Sequence, residues 1–156
     1  MNLQKSVLQS IVAVFILSLI VLSCEKTTFQ TKPTLKFKEA GSYDVSQGDY
    51  LSFKLKLSDK EGDISDSIWI KVFTRRCPGS ALTLPYQMPN VPPKANLDAE
   101  VDIRYIIGII DPSAPIYNLN LCPGVDTAIF QFWTRDLAGN RSDTVEVDQP
   151  ILIRNN

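Results

Sequence analysis

The sequence predicts an all-β fold, a β-sandwich of about seven strands that follows a cleaved N-terminal signal helix. Three observations support this prediction. Apolar and polar residues alternate with a period of two in several short stretches. No stretch of the mature chain has a convincing helical period, and turn residues separate the alternating stretches at short, regular intervals.

The clearest strand contains Leu51, Phe53, Leu55 and Leu57, which alternate with serine and lysine. Such alternation is typical of a strand with one face in the core and one face in water. The same period recurs before and after it, and a proline at position 150 follows the last alternating stretch. We therefore expect strands at residues 33–39, 50–58, 66–75, 100–110, 127–135 and 142–148.

Residues 78–99 are rich in proline. Proline cannot donate to a sheet ladder, so we expect an irregular segment rather than a central strand. Tyr86 and Met88 are its candidate binding residues, because a proline-rich backbone has little freedom to lose when it binds a partner. The alternative is that these side chains fold back over the edge of the sandwich as part of the core.

The N-terminus carries Lys5, then an apolar run over residues 11–22, and then the sequence Val21-Leu22-Ser23-Cys24. An apolar run of this length is typical of a signal peptide rather than of a membrane span. The four residues resemble the lipobox of bacterial lipoproteins. The resemblance implies a signal peptide over 1–23, lipid on Cys24 and a tether over 24–32. The length of the chain suits one domain, which we place over 33–156. The lipobox resemblance also implies anchoring in the bacterial cell envelope, at the outer membrane, with periplasmic or surface display left open.

Two stretches carry a second resemblance. Residues 132–142 (FWTRDLAGNRS) resemble the last hairpin of bacterial immunoglobulin-like and fibronectin type III-like domains. Residues 57–63 (LSDKEGD) resemble the acidic turn after the second strand in immunoglobulin-like domains of Bacteroidetes lipoproteins. The resemblance implies an immunoglobulin-like or fibronectin type III-like sandwich, a fold that hosts many functions.

The composition excludes several classes of function. The formal net charge is −1, whereas proteins that bind nucleic acid usually carry a basic face. The chain has no histidine, which excludes Ser-His-Asp and Cys-His catalytic centres and histidine-rich zinc sites. No nucleophile and base can be paired from the sequence, so we expect no enzyme. A small glycan hydrolase that uses two carboxylates remains an alternative.

Cys77 and Cys122 both precede a Pro-Gly pair, and they form an even pair once Cys24 is lipidated. In an immunoglobulin-like sheet the predicted strand 66–75 lies antiparallel beside 127–135. This arrangement brings the two cysteines to one end of the sandwich, so we predict a disulfide. A reactive redox pair is the alternative, but the chain lacks the CxxC spacing.

Acidic residues mark the opposite end of the predicted sandwich. Asp59, Glu61 and Asp63 lie in the turn after the second predicted strand, and Asp136 and Asn140 lie in the last hairpin. Converging hard oxygens could hold Ca²⁺. Acidic turns are more often simply solvated, so the sequence predicts no cofactor and at most a small effect of Ca²⁺ on the melting temperature.

Three tripeptides resemble the Asp-Ser/Thr-apolar sequon of the O-glycosylation systems of Bacteroidetes. They begin at Asp66, Asp126 and Asp143. The resemblance implies glycan acceptors at Ser67, Thr127 and Thr144. The alternative is that Asp-Ser and Asp-Thr pairs are ordinary turn exits.

These observations favour a lipid-anchored, non-catalytic binding or accessory module of the cell envelope, with the membrane and a protein or glycan as its partners. One alternative is a structural envelope protein or adhesin component whose turn end is stiffened by calcium. We expect Tyr86 and Met88 to lie with the two cysteines at the end of the domain that faces away from the membrane.

Overall fold

The computed structural model describes residues 31–76, 81–89, 92–108, 117–119 and 123–155. The predicted signal peptide and the lipidated Cys24 lie outside these residues. The predicted disulfide partners Cys77 and Cys122 lie outside them as well.

The described residues form two β-sheets from ten strands. Their bounds are β1 Thr34–Ala40, β2 Asp44–Ser46, β3 Tyr50–Asp59, β4 Ile64–Thr74, β5 Leu82–Gln87, β6 Leu97–Ile107, β7 Tyr117–Leu119, β8 Gly124–Asp136, β9 Val145–Glu146 and β10 Ile151–Asn155. The first sheet has the order β1-β3-β6-β7, and the second has the order β2-β10-β8-β4-β5, with β9 beside β8.

The all-β prediction is confirmed, and the part of the chain that the structure describes contains no helix. The order β1-β3-β6 in one sheet and β10-β8-β4 in the other is the order of strands A-B-E and G-F-C in an immunoglobulin-like sandwich. Strand β4 is antiparallel to β8, with Trp69 opposite Trp133. The structure has ten strands rather than about seven, because three very short ones, β2, β7 and β9, add two or three residues each.

The core lies between the two sheets and is built from the inward-pointing residues of the long strands. Leu51, Phe53, Leu55 and Leu57 of β3 are all buried, as their alternation predicts. The Phe53 ring packs on Phe130 at 4.8 Å between ring centroids, and on Phe132 at 5.0 Å. Each such aromatic pair contributes about 0.5–1.5 kcal/mol beyond the burial of its area.

The predicted last strand, residues 142–148, is confirmed as a strand only over Val145–Glu146. Only Val145–Glu146 pairs with β8 there, and the chain then bends and resumes as β10, which pairs with Gly124–Ala128. Pro150 lies immediately before β10, where no ladder donor is needed, so it does not end the sheet. The buried Ile151 and Ile153 carry the alternating pattern past the proline.

Other parts of the strand prediction also differ from the structure. Strand β6 runs from Leu97 to Ile107 rather than over 100–110, because Gly108 adopts a φ of +65° directly after it. Within the segment 78–99 lies strand β5, at the edge of the second sheet beside β4. An edge strand tolerates Pro85 because the missing N–H group can face away from the ladder.

Candidate functional site: an acidic turn and an apolar cleft

The acidic turn after β3 and the hairpin after β8 lie at the same end of the sandwich, as predicted. The backbone N–H of Leu137 donates a hydrogen bond to the carbonyl oxygen of Asp63 at 2.7 Å. Ile64 is the ladder partner of Asp136. Strand β1 begins at this end too, because Thr34 pairs with Ser58 at the end of β3.

Asp59, Glu61 and Asp63 come together in the acidic turn, and one carboxylate oxygen from each lies within 4.8 Å of the other two. Asp59 points inward from the end of β3 and is only 4% exposed. Its Oδ2 accepts hydrogen bonds from the N–H groups of Gly62 (2.5 Å) and Asp63 (3.3 Å). Its Oδ1 is buried and has no hydrogen-bond partner among the described residues.

Burial of the Asp59 carboxyl group is the main cause that raises its pKa above the usual value. The two backbone N–H groups that donate to it oppose this shift, because they stabilise the charged form. The negative charges of Asp63 and Glu61 raise the pKa further. The turn therefore holds a buried carboxylate whose charge is only partly compensated, by the two N–H groups that donate to it.

Asp136 and Asn140, the other two predicted metal ligands, bind each other instead. The Asp136 carboxylate accepts one hydrogen bond from the Asn140 backbone N–H and one from its side-chain amide, both at 2.7 Å. Asp136 is buried and lies outside the group of three carboxylates. This pair closes the hairpin after β8.

Gly62 allows the acidic turn to close. It adopts a φ of +69°, and a Cβ atom at this position would overlap the carbonyl oxygen of Lys94. The same turn accepts a hydrogen bond at the Lys60 carbonyl oxygen from the N–H of Asn96, at 2.7 Å. The turn thus packs against the segment that leads into β6.

An apolar cleft of about 650 Å³ opens beside this turn, between β5 of one sheet and β6 of the other. Its lining is mostly apolar, and its polar residues are acidic or serine, with no lysine or arginine among the described residues. The apolar residues are Leu57, Ile64, Tyr86, Met88, Pro89, Pro93, Leu97, Ala99, Val101 and Leu137, and the polar ones are Ser65, Asp66, Glu100 and Asp102.

Tyr86 and Met88 both line this cleft, but they do not lie where the sequence predicts. The N–H of Met88 donates to the carbonyl oxygen of Asp66 at 2.7 Å, near the start of β4. Because β5 runs antiparallel to β4, its last residues return to the acidic-turn end. The predicted position beside the cysteines, at the end away from the tether, is therefore wrong.

The two side chains differ in their surroundings. Met88 is 9% exposed and belongs to the core, so the alternative interpretation of the sequence holds for this residue. Tyr86 is half-buried, and its hydroxyl donates to the carbonyl oxygen of Asp102 at 3.3 Å. Its ring meets Tyr105 edge to face at 6.1 Å. Tyr86 thus bridges the two sheets at the wall of the cleft.

Leu97, Ala99 and Val101 are cleft residues that the sequence does not reveal. They point inward from β6, yet each is only half-buried, because the opposite sheet ends at the short strand β5. Inward residues of any sandwich strand share their alternation, so the sequence carries no signal that would distinguish them from core residues.

The three predicted glycan acceptors lie in different environments. Ser67 is half-buried in β4, and its hydroxyl donates to Asp66 at 2.9 Å. Thr127 is half-buried in β8. Thr144 is exposed just before β9, where its hydroxyl oxygen accepts from Arg141 at 2.9 Å. Thr144 is the most accessible of the three.

No protein-family model matches the chain, and no curated protein matches it in sequence. Among solved structures, it is similar to the CARDB domain of the PF1109 protein from Pyrococcus furiosus, a structure described as a complex with di-metal ions. The identity is 11%, the match covers 83% of this chain and 100% of that one, and the TM-score is 0.30. Within the described ranges, no helix has the length and hydropathy that a membrane crossing requires.

Proposed function

We propose that this protein is a lipid-anchored module of the bacterial cell envelope that binds a ligand without turnover in the cleft between β5 and β6. The cleft carries the proposal: its volume of about 650 Å³ lies within the range of roughly 300–1,000 Å³ typical of small-molecule sites. Its apolar walls and few polar groups also fit such a site. The immunoglobulin-like strand order is compatible with this role but does not specify it.

The chemistry of the cleft favours a ligand with an apolar body and a cationic group. Leu97, Val101 and Met88 offer apolar surface, while Asp66 contributes negative charge. No lysine or arginine of the described lining opposes this charge. An anionic ligand would meet like charges there and lose affinity.

The lipid anchor would set the orientation of the cleft. Strand β1 begins at the acidic-turn end, and Lys32 just before it forms a 2.7 Å ion pair with Asp143. A tether over residues 24–32 reaches roughly 30 Å when fully extended. The cleft lies in the half of the domain nearest to this tether, so the proposal has the ligand bind close to the membrane.

The anchor is tested by replacing Cys24. The variant Cys24→Ala should accumulate as an uncut precursor without lipid, whereas the native protein should carry acyl groups on Cys24. Mass spectrometry of both proteins measures this. A mature N-terminus at any other residue would contradict the anchor and leave the cleft proposal to be judged separately.

The cleft is tested with a matched pair of probes, 4-phenylbutylamine and 4-phenylbutanoate, by NMR titration of the purified protein. We expect the amine to shift resonances of β5 and β6 and to bind about tenfold more tightly than the carboxylate, a difference of about 1.4 kcal/mol. Ala99→Leu should block binding because it fills the cleft. Thr83→Leu, on the exposed face of β5, is the control. Equal binding by Ala99→Leu and Thr83→Leu would refute the cleft as the site.

A further inference from the structure

We propose that Asp59, Glu61 and Asp63 form a calcium site at the end of the sandwich where the tether enters. The site is distinct from the cleft, and its test does not depend on what the cleft binds. The sequence alone predicts only a small effect of Ca²⁺, since acidic turns are commonly solvated. The position and hydrogen bonding of Asp59 change that expectation.

The decisive observation is the Asp59 carboxylate. It is 4% exposed, and its Oδ2 is satisfied by the turn backbone, while its Oδ1 is buried without a hydrogen-bond partner in the described part of the chain. An unsatisfied buried carboxylate oxygen is costly, and most such groups are paired or coordinate a metal. The nearest charges that act on it are the like charges of Glu61 and Asp63.

A single cation held among the three carboxylates would neutralise much of their negative charge. One oxygen from each of the three carboxylates lies within 4.8 Å of the others, so an ion among them could contact all three after small side-chain adjustments. It would also replace like-charge repulsion with attraction. The donors are all carboxylate oxygens, and the chain contains no histidine, which favours a hard cation over zinc.

Calcium fits this donor set better than magnesium. Ca²⁺ accepts irregular sets of six to eight oxygens, and carboxylates can bind it through one or both oxygens, with water completing the shell. Mg²⁺ demands near-ideal octahedral geometry and gives up its water reluctantly.

Bound calcium would stiffen the connections of this turn to the rest of the domain. The Lys60 carbonyl oxygen accepts a hydrogen bond from Asn96, and that of Asp63 accepts one from Leu137. The hydroxyl of Thr31, at the end of the tether, donates to Glu61. Ordering the three carboxylates therefore orders the tether entry and two neighbouring loops.

The experiment uses the purified full chain, first stripped with a chelator and then titrated with CaCl₂ or MgCl₂. Isothermal calorimetry should show one saturable Ca²⁺ site and weaker Mg²⁺ binding. At Ca²⁺ about 100-fold above the Kd, the Tm should rise by about 5–10 °C. Asp59→Asn and Glu61→Gln should abolish both signals, and Asp66→Asn, an exposed aspartate outside the group, should retain them.

Glu61→Gln guards the test against misfolding, because Glu61 is more exposed than Asp59 and its loss leaves the turn hydrogen bonds of Asp59 in place. The weakest extracellular calcium modules have a Kd of about 1 mM. If no saturable binding is seen at Ca²⁺ concentrations about tenfold above that value, the proposal is overturned. Equal binding by Glu61→Gln and the native chain would overturn it as well. If the native chain binds calcium but binds neither probe in the cleft, the proposed function is refuted and the calcium site is not.

Discussion

The backbone N–H of Leu137 donates a 2.7 Å hydrogen bond to the carbonyl oxygen of Asp63 and so joins the hairpin after β8 to the turn after β3. These two turns come from strands in different sheets. The same acidic turn packs on Lys94 through Gly62. Backbone contacts among three loops thus close one end of the sandwich. The three carboxylates and the cleft both lie at this end.

Gly62→Ala should destabilise the fold by about 2–4 kcal/mol. A φ of +69° costs an alanine about 1–2 kcal/mol, and its Cβ would overlap the Lys94 carbonyl oxygen, a backbone atom that cannot rotate away. Urea unfolding measures the loss. Gly139→Ala is the control: this glycine also has a positive φ, but no atom lies within 4 Å of the position that an alanine Cβ would take, so only the backbone cost of about 1–2 kcal/mol applies. Equal losses would show that the Lys94 contact is unimportant.

Asp59→Asn should stabilise the calcium-free protein at neutral pH and have little effect below about pH 4. Burial raises the pKa of Asp59 in the folded state, so the folded protein holds this proton more tightly than the unfolded chain. Stability is therefore lost as the pH rises from the unfolded pKa through the folded one. Asparagine cannot ionise, and its side-chain oxygen can still accept from Gly62.

The measurement is the melting temperature of both proteins between pH 3 and pH 8 in the presence of a chelator. The exposed Asp66→Asn serves as the control and should follow the native chain. If the native chain instead gained stability relative to Asp59→Asn as the pH rose, the assigned direction of the pKa shift would be wrong.

The sequence predicted which strands pair better than it predicted where individual side chains such as Tyr86 lie. Alternation in β3 identified buried Phe53, and the immunoglobulin-like resemblance placed β4 beside β8. The position of Tyr86 could not be obtained in this way, because it depends on whether the proline-rich segment forms a strand and in which direction it runs. A six-residue edge strand that contains Pro85 has too weak a local signal to decide either point.

For the acidic turn, the sequence predicted the three carboxylates but not their relation to Asp136 and Asn140. Shared location at one end of the sandwich followed from topology alone. Which carboxylates share a site depends on turn hydrogen bonds, and Asp136 is occupied by both nitrogen atoms of Asn140. The unpartnered Oδ1 of Asp59 is likewise a result of three-dimensional packing that no spacing of residues reveals.

Ser142→Ala should cost about 1–3 kcal/mol, although serine to alanine is a small change. Ser142 is buried, and its hydroxyl oxygen accepts a 3.0 Å hydrogen bond from the N–H of Thr134, which is also buried. Alanine leaves this N–H without its acceptor. Thr144→Ala, at an exposed position two residues away, should stay within about 0.5 kcal/mol of the native chain. Chemical unfolding of the two variants compares them, and similar values would contradict the role assigned to Ser142.

A Cys77–Cys122 disulfide remains a prediction, and the described residues that flank the cysteines are compatible with it. The N–H of Arg76 donates to the Asp126 carboxylate at 3.0 Å, and Arg75 donates to the carbonyl oxygen of Thr127 at 3.1 Å. Peptide mapping without reductant should recover the cross-link from envelope-derived protein. Its reduction should cost about 4 kcal/mol in the chain-entropy model. Free thiols at both positions in that protein would refute the pairing.

Met88 and Tyr86 contribute to the cleft wall in different ways, which mutation should separate. Met88 is 9% exposed and packs in the core, so Met88→Ser should destabilise the fold by about 2–4 kcal/mol. Tyr86→Phe keeps the ring against Tyr105 and removes only the hydroxyl that donates to the carbonyl oxygen of Asp102, so it should cost about 0.5–1.5 kcal/mol.

Binding of 4-phenylbutylamine should depend on the Tyr86 ring rather than on its hydroxyl. Tyr86→Ser removes part of the cleft wall and should weaken binding in protein that remains folded, whereas Tyr86→Phe should bind as the native chain does. Thermal melting and NMR titration on the same samples measure stability and binding. Unchanged stability in Met88→Ser would show that Met88 does not belong to the core. Unchanged binding in folded Tyr86→Ser would move the binding surface away from β5, because no other half-buried aromatic ring among the described residues lines the cleft.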